Sequence, residues 1–375
     1  MIDVAILGAG AAGLFAAKWL KSSCHIIEHN PTIGAKIAIS GGGRCNVTNK
    51  ELTPGCYNSS DLKKAWQILR RFDNRELLRW IRKNGCSPVI RKKNQYFCPK
   101  SAKELIELLR PPNASLSLCA KIEGVRKEDN FIITTSQGAI EAKAVLVATG
   151  GVSFKRVGAS EIGFTIAKHF GHTIRPLRPA LVGFTLQPQQ FWFKELSGIS
   201  MRARVKVGKR EFYDDILFAH RGISGPAILN ASLWWERGAI EIAFLDSLPK
   251  LLPHKIISTQ LPLPKRFVKA FLKSIGVEDK KVSQLGAEEL EKLRLLTSYS
   301  FAPSGTFGYE RAEVTKGGVV LDELDENLQS RKTPGLFFAG EVVDMTGELG
   351  GYNFQWAFSS AFVAAKGIDE YLGNR

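Results

Sequence analysis

No apolar run in this sequence approaches the roughly 18 residues that a membrane-spanning helix requires. No basic stretch precedes the short apolar segment at the N-terminus, and that segment is too short for a signal peptide, so a cytoplasmic protein is expected. The six cysteines, Cys24, Cys45, Cys56, Cys86, Cys98 and Cys119, include no C-x-x-C pair. That argues against a zinc site or a disulfide framework and fits reduced thiols; no metal is expected. No internal repeat or low-complexity tract is visible. Acidic residues are in short supply: 36 Asp and Glu face 52 Lys and Arg, for a net charge of +16. Such a balance attracts polyanions. It also suits a solvated basic surface with no partner.

With 375 residues, 44% of them hydrophobic and 23% charged, the chain is long enough for two or three domains with ample core. Its organising stretch is the N-terminus. Asp3 to Leu7 reads as a buried strand, Ala11 to Lys21 as a helix, and Cys24 to Ile27 as a second strand ending in Glu28. Between the first strand and the helix stand Gly8, Gly10 and Gly13 in G-x-G-x-x-G spacing. In such a βαβ unit the first glycine makes a tight turn and the second lets backbone approach a pyrophosphate. The third lets helix and strand pack closely, and the terminal acid accepts hydrogen bonds from a ribose. The helix N-terminus adds free N–H groups and partial positive charge. No second G-x-G-x-x-G follows a strand, so a permanent second nucleotide domain is not evident.

A second glycine loop follows. Gly41-Gly42-Gly43 lies between Lys36 and Arg44 and runs into Cys45-Asn46-Val47-Thr48-Asn49. Consecutive glycines expose backbone amides, and flanking cations suit a phosphate or flavin cradle. Asp61–Leu69 and Asn74–Lys83 read as amphipathic helices, and Ser101 with Glu104 forms a capping box for Ala102–Leu109. Ala120–Arg126, Asn130–Thr135 and Ala139–Ala142 read as a small antiparallel ribbon. Ala144–Ala148 is a separate buried strand ending in Thr149-Gly150-Gly151. Glu161–Phe170 reads as helix, and Pro176 and Pro179 mark an exit, with a boundary near residue 186.

From there to Leu245 the chain is strand-like, notably at Met201–Val207 and Ala239–Leu245. Leu251–Leu296 is helix-forming, and Ser300–Leu321 returns to strand character. The last segment holds a buried strand ending in Gly340 and Glu341. After it come the loop Gly347–Asn353 and a long helix, Phe354–Tyr371, that Asn353 can N-cap.

Four blocks spread along the chain carry a resemblance: GAGAAGLFAA at Gly8–Ala17, SGGGRCNVTN at Ser40–Asn49, HRGISGPAILNAS at His220–Ser232 and AGEVVDMTGELGGYNFQWAFSSA at Ala339–Ala361. The sequence resembles the glutathione-reductase-type FAD superfamily and, within it, the BaiN/RdsA-type bacterial NAD(P)/FAD-dependent oxidoreductases. The resemblance implies an α/β fold: a split Rossmann-like FAD-binding domain (1–185 and 335–375) with an inserted β-barrel domain (186–250 and 300–334). The insert would carry a small helical subdomain (251–299).

It also implies roles by position. Gly8, Gly10, Ala12, Gly13 and Glu28 would hold the ADP half of FAD. Lys36, Gly42, Gly43, Arg44 and Asn46 would face the pyrophosphate and ribityl chain. Thr149 and Gly150 would touch the dinucleotide, and Gly340 and Glu341 the ribityl hydroxyls. Gly351, Tyr352 and Asn353 would lie at the isoalloxazine, with a helix N-terminus near the N1 side of the ring. Two stretches depart from the family pattern. A proline and a glycine-rich turn are expected after Gly151, where Ser153-Phe154-Lys155-Arg156 and Ser160-Glu161-Ile162 stand. An apolar residue is expected before Pro99, where Phe97-Cys98 stands.

The family reduces C=C bonds conjugated to a carbonyl. The implied reaction is NAD(P)H-dependent reduction of uridine to dihydrouridine in 23S rRNA or of a steroid-like enone, with NAD(P)H as a transient co-substrate. Either reduction needs a proton donor, for which Cys45, His220 and Tyr352 are the candidates. An RNA substrate has its own signal. Residues 61–110 hold 14 Lys and Arg against 5 Asp and Glu, interleaved with Trp66, Trp80, Tyr96 and Phe97. Cations for phosphates and aromatics for bases make Arg70, Arg71, Arg91, Lys92 and Lys93 the expected RNA contacts. A flavin-containing RNA-binding or assembly protein remains an alternative. The oligomeric state is open, a monomer being compatible.

Overall fold

The computed structural model describes residues 1–112 and 114–374. The chain forms two compact units, Met1–Arg178 with Val314–Arg375, and Pro179–Glu313. It leaves the first unit before the boundary expected near residue 186. Pro176 and Pro179 lie inside the strand Ile174–Ala180 rather than in an exit loop, as a short-partnered strand permits. Among the described residues, no helix is long and apolar enough to cross a membrane, and no cluster of His, Cys, Asp or Glu is arranged to hold a metal ion.

The first unit is built on a sheet whose parallel part runs in the order Ser115–Ser117, Cys24–Ile27, Ile2–Leu7, Gly138–Val147, Leu336–Phe338. Val4 to Leu7, Val145 to Val147 and Leu336 to Phe338 are wholly buried, as strands covered on both faces must be. Gly138–Val147 is one strand, where the sequence suggests two. Its first half pairs antiparallel with Phe131–Thr135, and its second half pairs parallel with Ile2–Leu7. Lys143 does not break it, because its ammonium reaches Asp3 at 2.8 Å. Ser115–Ser117 is a strand too polar to be read as one; its place comes from pairing with His25–Ile27.

The helices follow the sequence closely. Leu62–Arg70 and Asn74–Lys83 are N-capped by Asp61 and Asp73, and Ser101 with Glu104 forms the capping box of Ala102–Leu109. The helix Ala11–Trp19 packs on the terminal helix Tyr352–Gly373 through an aromatic cluster. Phe15 lies 5.0 Å from Phe358 and 4.9 Å from Trp80, and Trp19 lies 4.8 Å from Phe362. Trp80 is half-buried, and this cluster takes up part of the ring that the sequence offers to a nucleic-acid base.

An acid-labile clamp closes this unit. Glu323 accepts from Thr173 N at 2.8 Å, Thr173 Oγ1 at 2.8 Å and Lys332 Nζ at 2.7 Å, and His172 Nδ1 lies 3.1 Å away. Burial pushes its carboxyl up, but Lys332 and the Thr173 donors outweigh that and hold it at about 2. A depressed carboxylate stabilises the fold fully above its unfolded value, about 4.3, and loses that contribution as pH falls through the folded one. At pH 7 the Glu323→Gln variant should unfold with about 1–3 kcal/mol less stability. In thermal melts the gap to wild type should close between pH 4.5 and pH 2; a gap that stays constant over that range would refute the clamp.

The second unit holds a seven-stranded sheet in the order Tyr299–Phe301, Ile240–Ala243, Ser200–Val207, Arg210–Ala219, Gly222–Ser224, Phe184–Thr185, Gly305–Thr306. Laid flat, six strand spacings would separate its edges by about 29 Å. The edge strands are joined by residues 302–304 alone, a link that reaches about 14 Å at most. The sheet therefore curls, as the β-barrel expectation requires, but its hydrogen-bonded path stays open as a half-barrel. The helices Lys265–Ser274 and Ala287–Lys292 lie in the segment expected to be helical. Phe267 and Phe271 join Phe193, Phe218, Phe244 and Phe301 in one cluster. Pro226–Trp234 is a helix inside a stretch that reads as strand-like, started by Gly225 and by Pro226 in its first turn.

Candidate cofactor site

The parallel strands of the first unit end together. Leu7 stands opposite Ile27 and Val147, and Val147 opposite Phe338. Their carboxyl ends therefore present Gly8, Glu28, Ala148-Thr149-Gly150 and Ala339-Gly340 along one edge, where open α/β sheets bind ligands. A Cβ on Gly13 would lie 1.9 Å from Gly8 O, so only glycine lets the helix Ala11–Trp19 pack this close to the turn. Glu28 is buried, accepting from Ala9 N at 2.8 Å and Asn30 N at 2.9 Å. These bonds fix its carboxylate at the strand end and leave acceptor capacity over.

The edge has the form of a cradle. A Cβ on Gly10, Gly42 or Gly150 would meet no heavy atom within 4 Å. Backbone thus faces open space at the helix N-cap, at the triple-glycine turn and after the central strand. Thr149 Oγ1 is buried without a hydrogen-bond partner and faces the helix Ile162–His169, 2.0 Å from where a Gly163 Cβ would be. Gly41, Gly42 and Gly43 all take positive φ, at 55°, 65° and 82°. The turn is short, between a helix at Ala35–Ile39, which the sequence reads as loop, and the strand Asn46–Asn49. Phe97 packs against it, 3.1 Å from where a Gly41 Cβ would be. These features fit an extended dinucleotide such as FAD.

Lys36 and Glu341, expected at neighbouring points of the cofactor, meet directly at 2.7 Å. Glu341 also accepts from Thr315 N at 2.7 Å. Lys36 is thus balanced by a carboxylate, and Arg44, exposed at the end of the glycine turn, is the cation left to meet phosphate there. Gly340 is held by Ser360 Oγ, which accepts from its N–H at 2.9 Å, and by Trp356 Nε1, which donates to its carbonyl at 3.0 Å. Ala12 lies against it, 2.9 Å from where a Gly340 Cβ would be.

The terminal helix starts two residues earlier than expected. Gly351, at φ 92°, is its N-cap, and Asn353 lies within the first turn. Asn353 is a brace rather than a cap, accepting from Gly347 N at 2.8 Å and donating to Gly347 O at 2.9 Å. Asn46 bonds Gln95 at 2.8 Å, and Thr48 donates to Gln355 Oε1 at 2.6 Å, tying the glycine turn to this helix. Tyr352 is buried and hydrogen-bonds Cys56. Burial, with Cys56 beside it, holds its hydroxyl protonated well above the usual tyrosine range. Tyr57 donates to the Tyr352 carbonyl at 3.1 Å.

Cys45 is wholly buried, so this donor candidate is an enclosed thiol. Its hydrogen bond to Cys98, together with burial, outweighs one from Cys86 and pushes the Cys98 thiol up to about 12. His220 lies in the second unit, exposed in the two-residue turn between Arg210–Ala219 and Gly222–Ser224. The glycines after it answer a backbone need: a Cβ on Gly222 would lie 2.0 Å from Phe184 O. Arg70 is exposed, whereas Arg71 donates to Glu326 O at 2.7 Å and Asn327 Oδ1 at 2.9 Å. Arg91, Lys92 and Lys93 are exposed in the turn between Val89–Ile90 and Gln95–Phe97, with Arg91 donating to Pro99 O at 3.0 Å. Thr315, Gln355 and Ser360 were not singled out in the sequence. Their partners are remote in the chain, and no local pattern marks them.

A family model described as HI0933-like protein Rossmann domain matches residues 2–367. A ribosomal RNA dihydrouridine synthase of Haemophilus influenzae is 35% identical, across 97% of both chains. A protein of the same name from Escherichia coli is 34% identical, across 98% of both. A 3-dehydro-bile acid delta(4,6)-reductase of Clostridium scindens is 27% identical, across 99% of this chain and all of that one.

Proposed function

The chain belongs to the HI0933-like Rossmann family of FAD- and NAD(P)H-dependent oxidoreductases, and on that premise we propose that it reduces uridine to dihydrouridine in 23S rRNA, in the cytoplasm. The observation that carries the RNA reading is a strand pairing. The basic turn Arg91-Lys92-Lys93 belongs to a hairpin whose strand Gln95–Phe97 pairs with Asn46–Asn49, directly after the triple-glycine turn. Cations suited to phosphate are thus built into the same small sheet as the cradle.

FAD supplies hydride transfer between a nicotinamide and an electron-poor carbon. The protein's share is to bind and to place a proton. Gly8, Gly10 and Gly13 would open the helix N-terminus to the pyrophosphate, Glu28 would accept from the ribose, and the Thr149-Gly150 backbone would border the dinucleotide. Gly42, Gly43, Arg44 and Asn46 line the turn toward the phosphates, with Lys36 and Glu341 as a balanced pair beside Gly150 and Gly340. Gly351 and Asn353 set the start of the terminal helix, whose N–H groups favour negative charge. Of the donor candidates in this unit, Tyr352 stands at the start of the terminal helix, and Cys45 is enclosed.

A second reading, reduction of a small enone, is favoured by the name of the Clostridium scindens relative. The two separate in an anaerobic experiment. Protein reduced with NADH or NADPH and freed of excess reductant should be reoxidised by an unmodified rRNA fragment, with one uridine gaining two hydrogens. RNA that returns unchanged would count against the proposal.

A further inference from the structure

The helix Lys265–Ser274 has two unlike faces. Phe267, Val268, Phe271 and Leu272 are buried in the core of the second unit. Lys265, Arg266, Lys269 and Lys273 are exposed, and three of them follow one another at four-residue steps, about 6 Å apart along the axis. That is within a Debye length, so their fields add. Stability does not ask for this arrangement. Like charges four apart weaken a helix slightly, and no acid stands in its first turn, where the dipole would favour one.

One acid answers this face: Glu195 lies 3.8 Å from Lys273, and its backbone carbonyl accepts from Arg266. Lys265 and Lys269 carry no ion pair among the described residues. Beside the helix, in the segment Pro188–Leu196, Lys194 stacks 3.5 Å above the ring of Phe191, which is 46% exposed. Residues 250–281 as a whole hold eight Lys and Arg against two Asp and Glu.

We propose that this face is a second RNA-docking surface, in which the helix cations meet phosphates and Phe191 offers a ring to an unpaired base. It rests on the RNA reading above but lies in the other unit, on residues with no part in the cradle. A neutral partner would leave the row of cations unanswered, and an RNA backbone matches it in charge.

The test is salt-dependent binding of a labelled large-subunit rRNA fragment to the whole FAD-loaded protein. For Lys265→Glu/Lys269→Glu, affinity at low salt should fall about tenfold or more, and the slope of log K against log salt should fall by about 1 to 2. A control of equal charge change, Lys21→Glu/Lys121→Glu, should leave the slope near wild type. Flavin content and enone turnover should be unchanged in both. Wild-type binding with the same slope in the helix variant, or equal losses in the control, would overturn the docking surface alone. Absence of salt-dependent binding by wild type would overturn the RNA reading with it. Helix-dependent capture by anionic lipid vesicles, with RNA binding intact, would assign the face to a membrane surface instead.

Discussion

Gly10→Asp should purify as a folded, colourless protein. Gly10 is the N-cap of the helix Ala11–Trp19, with extended backbone at φ −85° and ψ −168°, and a Cβ there touches nothing within 4 Å. Aspartate is a favoured N-cap, so the helix should hold or gain stability. The same carboxylate puts a negative charge where the pyrophosphate must come. We expect FAD affinity to drop at least about 100-fold, near 2.7 kcal/mol, with the melting temperature of the cofactor-free protein unchanged or raised. Flavin absorbance per protein and a melt of the stripped form check both halves. Full flavin content in this variant would remove the cofactor from this edge. Gly13→Ala is the contrasting case, because its Cβ would press on Gly8 O at 1.9 Å; fold and cofactor should fail together there.

Reversing the basic turn should separate the two candidate substrates. For Arg91→Glu/Lys92→Glu/Lys93→Glu we expect kcat/KM on an rRNA fragment at low salt to fall about 100-fold or more, since three phosphate contacts become repulsions. Turnover of a small enone should stay within about twofold, because a neutral small molecule brings no phosphate for these cations to meet. The gap between wild type and variant should narrow as salt rises. Arg91 also donates to Pro99 O, so a melt belongs with the assay. Equal loss on both substrates would mean that the turn supports the cradle sheet rather than an RNA.

The central part of this site was legible because its signals are local. Strand, glycine turn, helix, strand and acid lie within Met1–Glu28, and each step has its own residue requirement. The capping box of Ala102–Leu109 and the amphipathic helices were legible for the same reason. What escaped depends on partners far along the chain. Lys36 reads as a free cation until Glu341, 305 residues away, is placed beside it. Cys45 reads as a donor candidate until the strand Gln95–Phe97 brings Cys98 against it. Gly138–Val147 reads as two strands because neighbours of opposite direction claim its two halves. Pro226–Trp234 was hidden by its largely apolar sequence, in which Asn230 and Ser232 mark no helical stripe. The basic row on Lys265–Ser274 escaped because composition alone does not say which side of a helix is buried.

The most direct measurement is electron delivery under anaerobic conditions, with rRNA fragment and steroid enone as parallel acceptors. The expected result is fast return of the oxidised flavin band with the RNA, slow return with the enone, and dihydrouridine in the recovered RNA. Fast return with the enone alone, and RNA recovered unchanged, would contradict an rRNA reductase and leave the protein's positive charge as a property of its solvated surface.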